Sequence, residues 1–154
     1  MNKKILIVLL SIISVSSYAE GIKQHVQVCG NVANELPYQF KLSFQSSDAI
    51  KSWKTVTLNS GTACVDHTYR EGPKSIRLKI DALGSDAAKN VRLNLDDSCK
   101  VLQAKSSINY VSDYLTTSKP NIMWKLNISQ LPGSNNDANP NLHDYKVSCD
   151  FAET

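Results

Sequence analysis

The sequence predicts an all-β protein, an antiparallel β-sandwich of about eight or nine short strands with two intrachain disulfides. Three observations lead to this prediction. Apolar and polar residues alternate over much of the chain, turn-forming residues separate the alternating stretches, and an even number of cysteines follows an export-type leader. Together they indicate a small exported domain built from two facing sheets.

The alternation of apolar and polar residues is clearest between Tyr38 and Phe44. There Tyr38, Phe40, Leu42 and Phe44 occupy every second position, which is the pattern of a strand with one buried and one solvated face. Similar stretches, some of them weaker, occur at 25–32, 55–58, 63–69, 75–80, 91–95, 107–111, 122–128 and 145–151. Strands this short and this numerous favour a sandwich or barrel over a helical architecture.

Turn-forming residues separate these stretches. Asn59–Gly61 and Glu71–Pro73 have the composition of hairpin-like connections, in which glycine supplies the unusual dihedral angles. The longest polar loop runs from 131 to 142, and short helical turns are expected at 48–53 and 85–89. Because no linker or internal repeat interrupts this order, we expect a single domain.

The first nineteen residues have the features of a secretory signal peptide. Lys3 and Lys4 precede the apolar run Ile5–Val15, and Ala19 is a small residue of the kind found before a cleavage site. A membrane-spanning helix needs roughly 20 apolar residues, and this run is about half that length. We expect cleavage after Ala19, no membrane span, and release of residues 20–154 into the periplasm of a bacterium or outside the cell.

The overall charge excludes recognition that depends on the whole molecule being strongly basic or acidic. The chain has 17 Lys and Arg and 14 Asp and Glu, and the leader contains Lys3 and Lys4 but no acidic residue. The mature charge is therefore 15 − 14 = +1. We expect no nucleic-acid partner, and any electrostatic recognition must come from a local surface.

Four cysteines, Cys29, Cys64, Cys99 and Cys149, all follow the leader. They are too far apart for the close pairs of a zinc site, so we expect two disulfides and no metal. Four cysteines allow three pairings. We favour Cys29–Cys64 with Cys99–Cys149 because these bonds join sequence neighbours, and the other two pairings stay open.

A local basic surface is the main candidate for anion or partner binding. If the strands at 75–80 and 91–95 pair as a hairpin, then Arg77, Lys79 and Arg92 share one outward face. Three further basic residues lie near its ends: Arg70, Lys74 and Lys89. Arginine clusters suit planar anions such as carboxylates and phosphates. The alternative is that these charges only protect a sheet edge from aggregation.

Aromatic side chains could add a platform for sugars. The candidates are Trp53, Tyr69, Tyr110, Tyr114 and Trp124. Trp53, Tyr110 and Tyr114 fall near predicted loops, whereas Trp124 falls in the buried register of its strand. Large rings near loops offer contact area at a low cost in side-chain entropy. Core packing is the alternative role for most of them.

No catalytic motif or cofactor signature occurs in the chain. His67 follows Asp66, and His143 precedes Asp144. Either pair could contribute to a catalytic His/Asp site. The alternation instead predicts that His67 takes an inward position and that His143 lies at the end of a loop. We therefore expect no catalytic residues.

The sequence partly matches one metal-binding motif, the calcium-binding loop. Residues 133–141 are rich in oxygen donors, and a template that starts at Asp137 places Asn139 and Asn141 correctly. Leu142 stands where the template needs glycine, and Ser148 stands where it needs glutamate. We interpret this segment as an ordinary exposed loop.

These observations favour an exported binding module that acts on a protein or glycan through surface contacts, without catalysis. One alternative is a structural subunit that uses strand addition, with an N-terminal arm at 20–27. Another is a small hydrolase inhibitor that uses the loop 131–142. The oligomeric state does not follow from the sequence.

Overall fold

The computed structural model describes residues 23–48, 52–71, 74–131 and 141–154. The expected signal peptide, residues 1–19, lies outside this part of the chain, as do most of the loop 131–142 and the calcium template at Asp137 and Asn139.

Eleven strands, one short helix and one 3-10 turn make up the part of the chain that the structure describes. The strands are β1 (Gln24–Val32), β2 (Gln39–Ser46), β3 (Lys54–Leu58), β4 (Gly61–Tyr69), β5 (Ser75–Leu83), β6 (Val91–Leu95), β7 (Leu102–Ser106), β8 (Asn109–Ser112), β9 (Leu115–Thr116), β10 (Asn121–Gln130) and β11 (His143–Glu153). The helix α1 is Ala87–Asn90, and the 3-10 turn is Asp97–Cys99. The helical turn expected at 85–89 is thus present, shifted slightly.

The strands form two sheets, which confirms the predicted sandwich. The five-stranded sheet has the order β4-β1-β10-β11-β6. The six-stranded sheet has the order β3-β2-β5-β8-β7, with β9 paired to one end of β5. All pairs of the six-stranded sheet are antiparallel, but β1–β10 and β11–β6 in the other sheet are parallel. Alternation fixes which face of a strand is buried and not its direction, so this mixture could not be predicted.

The core lies between the sheets and follows the alternation that the sequence shows. On β10, Ile122, Trp124, Leu126 and Ile128 are buried while the residues between them are exposed. The facing sheet contributes buried side chains at every second position of β2 and β5: Phe40, Leu42, Phe44, Ile76, Leu78 and Ile80. Apolar burial of this kind supplies the main favourable free energy of folding.

Both disulfides have the favoured pairing. Cys29–Cys64 joins directly opposite residues of the adjacent strands β1 and β4, and Cys99–Cys149 joins the 3-10 turn to β11. They close loops of 35 and 50 residues. Each is worth about 4 kcal/mol of unfolding free energy in the chain-entropy model. Disulfides are typical of an oxidising compartment outside the cytosol.

Three connections expected to be hairpin-like instead join strands of different sheets, and one of them is the connection through 71–73, between β4 and β5. The strands at 75–80 and 91–95 do not pair, because β5 belongs to the six-stranded sheet and β6 to the five-stranded sheet. Between them the chain forms α1, whose Ala87 is buried, and this longer connection replaces a tight turn. The turn after Leu58 likewise joins β3 in one sheet to β4 in the other.

The two disulfides differ in exposure, which predicts the order in which they are reduced. Cys64 is exposed on the outward face of its strand, whereas Cys99 is only 1% exposed. Thiol–disulfide exchange requires access of the attacking thiolate to a sulfur atom. With limiting dithiothreitol, we expect Cys29 and Cys64 to be alkylated before Cys99 and Cys149, as measured by peptide mass spectrometry. Earlier alkylation of the second pair would contradict this order.

The buried hydroxyl of Tyr145 predicts a loss of stability at alkaline pH. The side chain is fully buried, and its hydroxyl has no hydrogen-bond partner among the described residues. Burial raises the pKa of this hydroxyl to about 12, and the nearby Tyr38 makes a smaller contribution in the same direction. Because the unfolded pKa is about 10, the favourable contribution of the neutral phenol is present below pH 10 and is lost as the pH rises toward 12.

Tyr145→Phe keeps the edge contact of this ring with Phe40 and removes the hydroxyl. We expect its melting temperature to fall less between pH 10 and 12 than that of the unmodified protein. At pH 7 it should be at least as stable, because a buried polar group without a partner is removed. Equal alkaline losses in the two proteins would show that Tyr145 does not carry this effect.

Candidate binding surface

The candidate surface is the outer face of the six-stranded sheet. Pairing of β2 with β5 places Gln45 opposite Arg77 and Ser43 opposite Lys79. Their neighbours Phe44 and Leu78 point into the core, so the alternation of a strand directs Gln45 and Arg77 outward. Two of the three basic residues predicted for the site therefore lie side by side.

The guanidinium of Arg77 lies between two aromatic rings. Its Cζ is 4.8 Å from the ring centroid of Trp53, just before β3, and 4.7 Å from that of Tyr114, between β8 and β9. Both distances fall within the range of a cation–π interaction. Two loops that are distant in sequence thus meet over one cation.

A buried amide holds this guanidinium in place. The Nε and Nη2 groups of Arg77 donate hydrogen bonds of 3.0 and 2.6 Å to Oε1 of Gln45, and the hydroxyl of Tyr114 donates one of 3.2 Å to the same oxygen. Gln45 is only 3% exposed. Three donors on one buried acceptor fix the plane of the guanidinium and leave its Nη1 without a partner among the described residues.

Lys79 is a second cation on the same aromatic ring. Its Nζ lies 4.2 Å from the ring centroid of Trp53 and 3.9 Å from a carboxylate oxygen of Asp81. We call Gln45, Trp53, Arg77, Lys79 and Tyr114 the Arg77 cluster.

The Arg77 cluster has an excess of positive charge. Arg77 forms no ion pair with a described residue, whereas Lys79 lies near the carboxylate of Asp81. The five residues of the Arg77 cluster themselves include two cations and no carboxylate. The guanidinium and the ammonium can therefore donate charge-assisted hydrogen bonds to an anion.

Arg92 does not belong to this surface, which corrects the predicted set. It lies on β6 in the five-stranded sheet, where its Nε is 3.5 Å from a carboxylate oxygen of Asp144. Of the outlying basic residues, Lys74 is paired with Asp48. Arg92 was placed with Arg77 only because the two strands were expected to form a hairpin.

The aromatic candidates lie in different parts of the structure. Trp53 and Tyr114 belong to the Arg77 cluster, and Tyr114 is 41% exposed. Tyr110 donates a hydrogen bond of 3.1 Å to the carbonyl oxygen of Leu93, which ties the two sheets together. Trp124 is buried, as its register predicted.

The histidines do not form the His/Asp pairs that their sequence neighbours suggested. Adjacent residues of a strand point to opposite faces, so Asp66 and His67 are separated. His67 points inward, its ring 4.7 Å from that of Tyr69, and desolvation followed by the charge of Lys54 lowers its pKa. Asp66 instead lies 3.7 Å from His25 Nε2 on the neighbouring strand.

The sequence did not single out His25. In the structure, each of its two ring nitrogens lies near a polar side chain. Its Nδ1 is 3.0 Å from the hydroxyl of Thr68, while its other ring nitrogen faces Asp66. All three side chains lie on the exposed face of the flat pair β1–β4. His25 also lines a shallow cavity of about 260 Å³ together with Met123 and Ala152.

Gln45 is the other residue that the sequence analysis missed. Alternation along β2 predicts that it points outward, but its role comes from standing opposite Arg77 on another strand. That pairing is not visible in a local pattern.

Within the described ranges, no cluster of three or more His, Cys, Asp or Glu side chains is arranged to hold a metal ion. No helix among the described residues is long and apolar enough to cross a membrane. Comparisons with protein-family models, with curated proteins and with solved structures found no match to this chain.

Proposed function

We propose that the chain is the precursor of an exported bacterial binding module, which loses residues 1–19 and recognises an anionic glycan through the Arg77 cluster. The observation that carries the proposal is the stacking of Arg77 between Trp53 and Tyr114, with Lys79 on the same indole. The proposed binding involves no catalysis and no cofactor.

The chemistry of the Arg77 cluster supports a carboxylated sugar as the ligand. The Nη1 group of Arg77 and the ammonium of Lys79 can donate to a carboxylate, and such charge-assisted bonds contribute about 1.5–3 kcal/mol each. Tyr114 is exposed and its ring can contact the apolar face of a sugar. The surface is an open sheet face, which suits a polymer that passes across the strands.

Export supports the same proposal. The leader and the two disulfides fit a protein that works in the periplasm or outside the cell. Anionic polysaccharides of cell envelopes and of extracellular matrices would be accessible there.

The test is titration of the mature protein, residues 20–154 with both disulfides, with a uronic-acid polysaccharide and with neutral dextran, followed by calorimetry. We expect saturable binding to the uronate alone, weaker at higher salt. In Arg77→Gln/Lys79→Gln, the affinity should fall at least tenfold because two charged donors are lost.

Arg92→Gln is the matched control, since it removes one exposed positive charge from the other sheet. Its affinity should stay within twofold of the unmodified protein. Loss of binding in the control to the same extent would indicate general charge attraction. Undiminished binding in Arg77→Gln/Lys79→Gln, or equal binding to dextran, would contradict the proposal.

A further inference from the structure

The last strand in the chain, β11, has a neighbouring strand along most of its length on one side only. β11 (His143–Glu153) pairs with β10 from Tyr145 to Glu153. On its other side β6 covers only His143–Val147. Beyond Val147 the 3-10 turn, in place of β6, lies beside β11. There Oγ of Ser98 accepts a hydrogen bond of 2.8 Å from the N–H of Cys149. From Asp150 onward that side of β11 has no strand among the described residues.

The backbone groups of Phe151 and Glu153 point to this open side. In an antiparallel pair, successive residues direct their N–H and C=O groups alternately toward and away from the partner strand. Thr154 and Asn121 exchange backbone hydrogen bonds of 3.0 and 3.1 Å, so the backbone groups of Thr154 point toward β10. The carbonyl oxygen of Val147 accepts a hydrogen bond from the N–H of Asp96, so the backbone groups of Val147 point away from β10. Residues 151 and 153 have the same orientation as Val147, so their N–H and C=O groups point to the open side and have no partner among the described residues.

An apolar groove lies directly behind this edge. It has a volume of about 420 Å³ and opens between the two sheets. Its floor is formed by Ile76 and Trp124 of the two sheets, and its walls by Leu115 of β9 and Phe151 of β11. Val101 and Glu153 also line it. The groove is lined by apolar side chains together with the polar Thr117 and Glu153. Backbone groups without a partner among the described residues, beside such a groove, form the arrangement that accepts an added strand.

We propose that this edge binds an extended segment of a partner protein, which extends the five-stranded sheet beside Phe151 and Glu153. Alternation of the added strand would place one apolar side chain in the groove next to Phe151 and a basic side chain next to Glu153. Glu153 is exposed and forms no ion pair with a described residue, so a Lys or Arg on the partner complements it.

The chain's own N-terminal arm is not the expected occupant. An arm at 20–27 was the donor that the strand-addition alternative required, but Gln24–Val32 forms β1 between β4 and β10. Gln24 is buried, and its side-chain amide donates to the carbonyl oxygen of Lys119 at 3.1 Å. The second half of the predicted arm is therefore part of the domain itself.

The test begins with a phage-displayed library of linear heptapeptides selected on the mature, disulfide-bonded protein. We expect selected peptides to share an apolar residue and a Lys or Arg two positions apart. Addition of a synthetic consensus peptide should slow hydrogen exchange of the Phe151 and Glu153 amides at least tenfold, as measured by NMR. The same amides should exchange quickly in the free protein.

Two variants and a control locate the site. Glu153→Lys changes an exposed residue and should weaken the consensus peptide at least tenfold, and Leu115→Lys should do the same by placing a charge in the groove. Met123→Lys is the matched control, since Met123 is 41% exposed on the outer face of the same sheet. It should leave the affinity unchanged, as should the Arg77→Gln/Lys79→Gln variant, so this test is independent of the glycan proposal.

Several outcomes would overturn the inference. Selection of no peptide, or of peptides without the apolar–basic spacing, would exclude an extended partner segment. Protection of Phe151 and Glu153 in the free monomer would mean that the chain itself covers the edge. Protection that rises with protein concentration would assign the edge to a second copy instead.

Discussion

The bond between Cys99 and Cys149 ties the chain back to the five-stranded sheet just after the chain has left it. It joins the 3-10 turn to β11, while β6 ends at Leu95 and the next strand, β7, lies in the facing sheet. The first half of β11 is covered by β6, and its second half is left as an edge. Val101 and Phe151 lie two residues beyond Cys99 and Cys149 and both line the groove, so this covalent link lies beside the groove.

The two surfaces discussed above have different physical origins. The Arg77 cluster lies on the outer face of the six-stranded sheet, where side chains from β2, β5 and two loops converge on one cation. The groove lies at the edge of the five-stranded sheet and depends on backbone groups and on buried apolar residues. They share no residue, but Ile76 and Leu115 of the groove adjoin Arg77 and Tyr114 of the cluster along the chain.

Much of the fold could be predicted because burial in a sandwich follows a local pattern. Alternation correctly assigned Trp124 and His67 to inward positions, and spacing correctly favoured both disulfides. Arg77 and Lys79 were correctly expected to share a face, because residues two apart on one strand always do.

What could not be predicted depends on which strands become neighbours. Arg92 was expected near Arg77, but α1 carries the chain to the other sheet between them. The contact of His25 with Asp66 and that of Gln45 with Arg77 each join residues on different strands. Strand pairing of this kind is set by long-range packing, for which alternation along a single strand gives no information.

The pairs Cys29–Cys64 and Cys99–Cys149 cross-link this sandwich, which is typical of a domain exported to an oxidising compartment. Peptide mapping by mass spectrometry, on unreduced protein recovered from its native compartment, tests both the bonds and the export most directly. We expect a chain that begins at Glu20 and yields two cross-linked peptide pairs, one for each bond. A chain that retains its leader, free thiols, or Cys64 linked to Cys99 would contradict it.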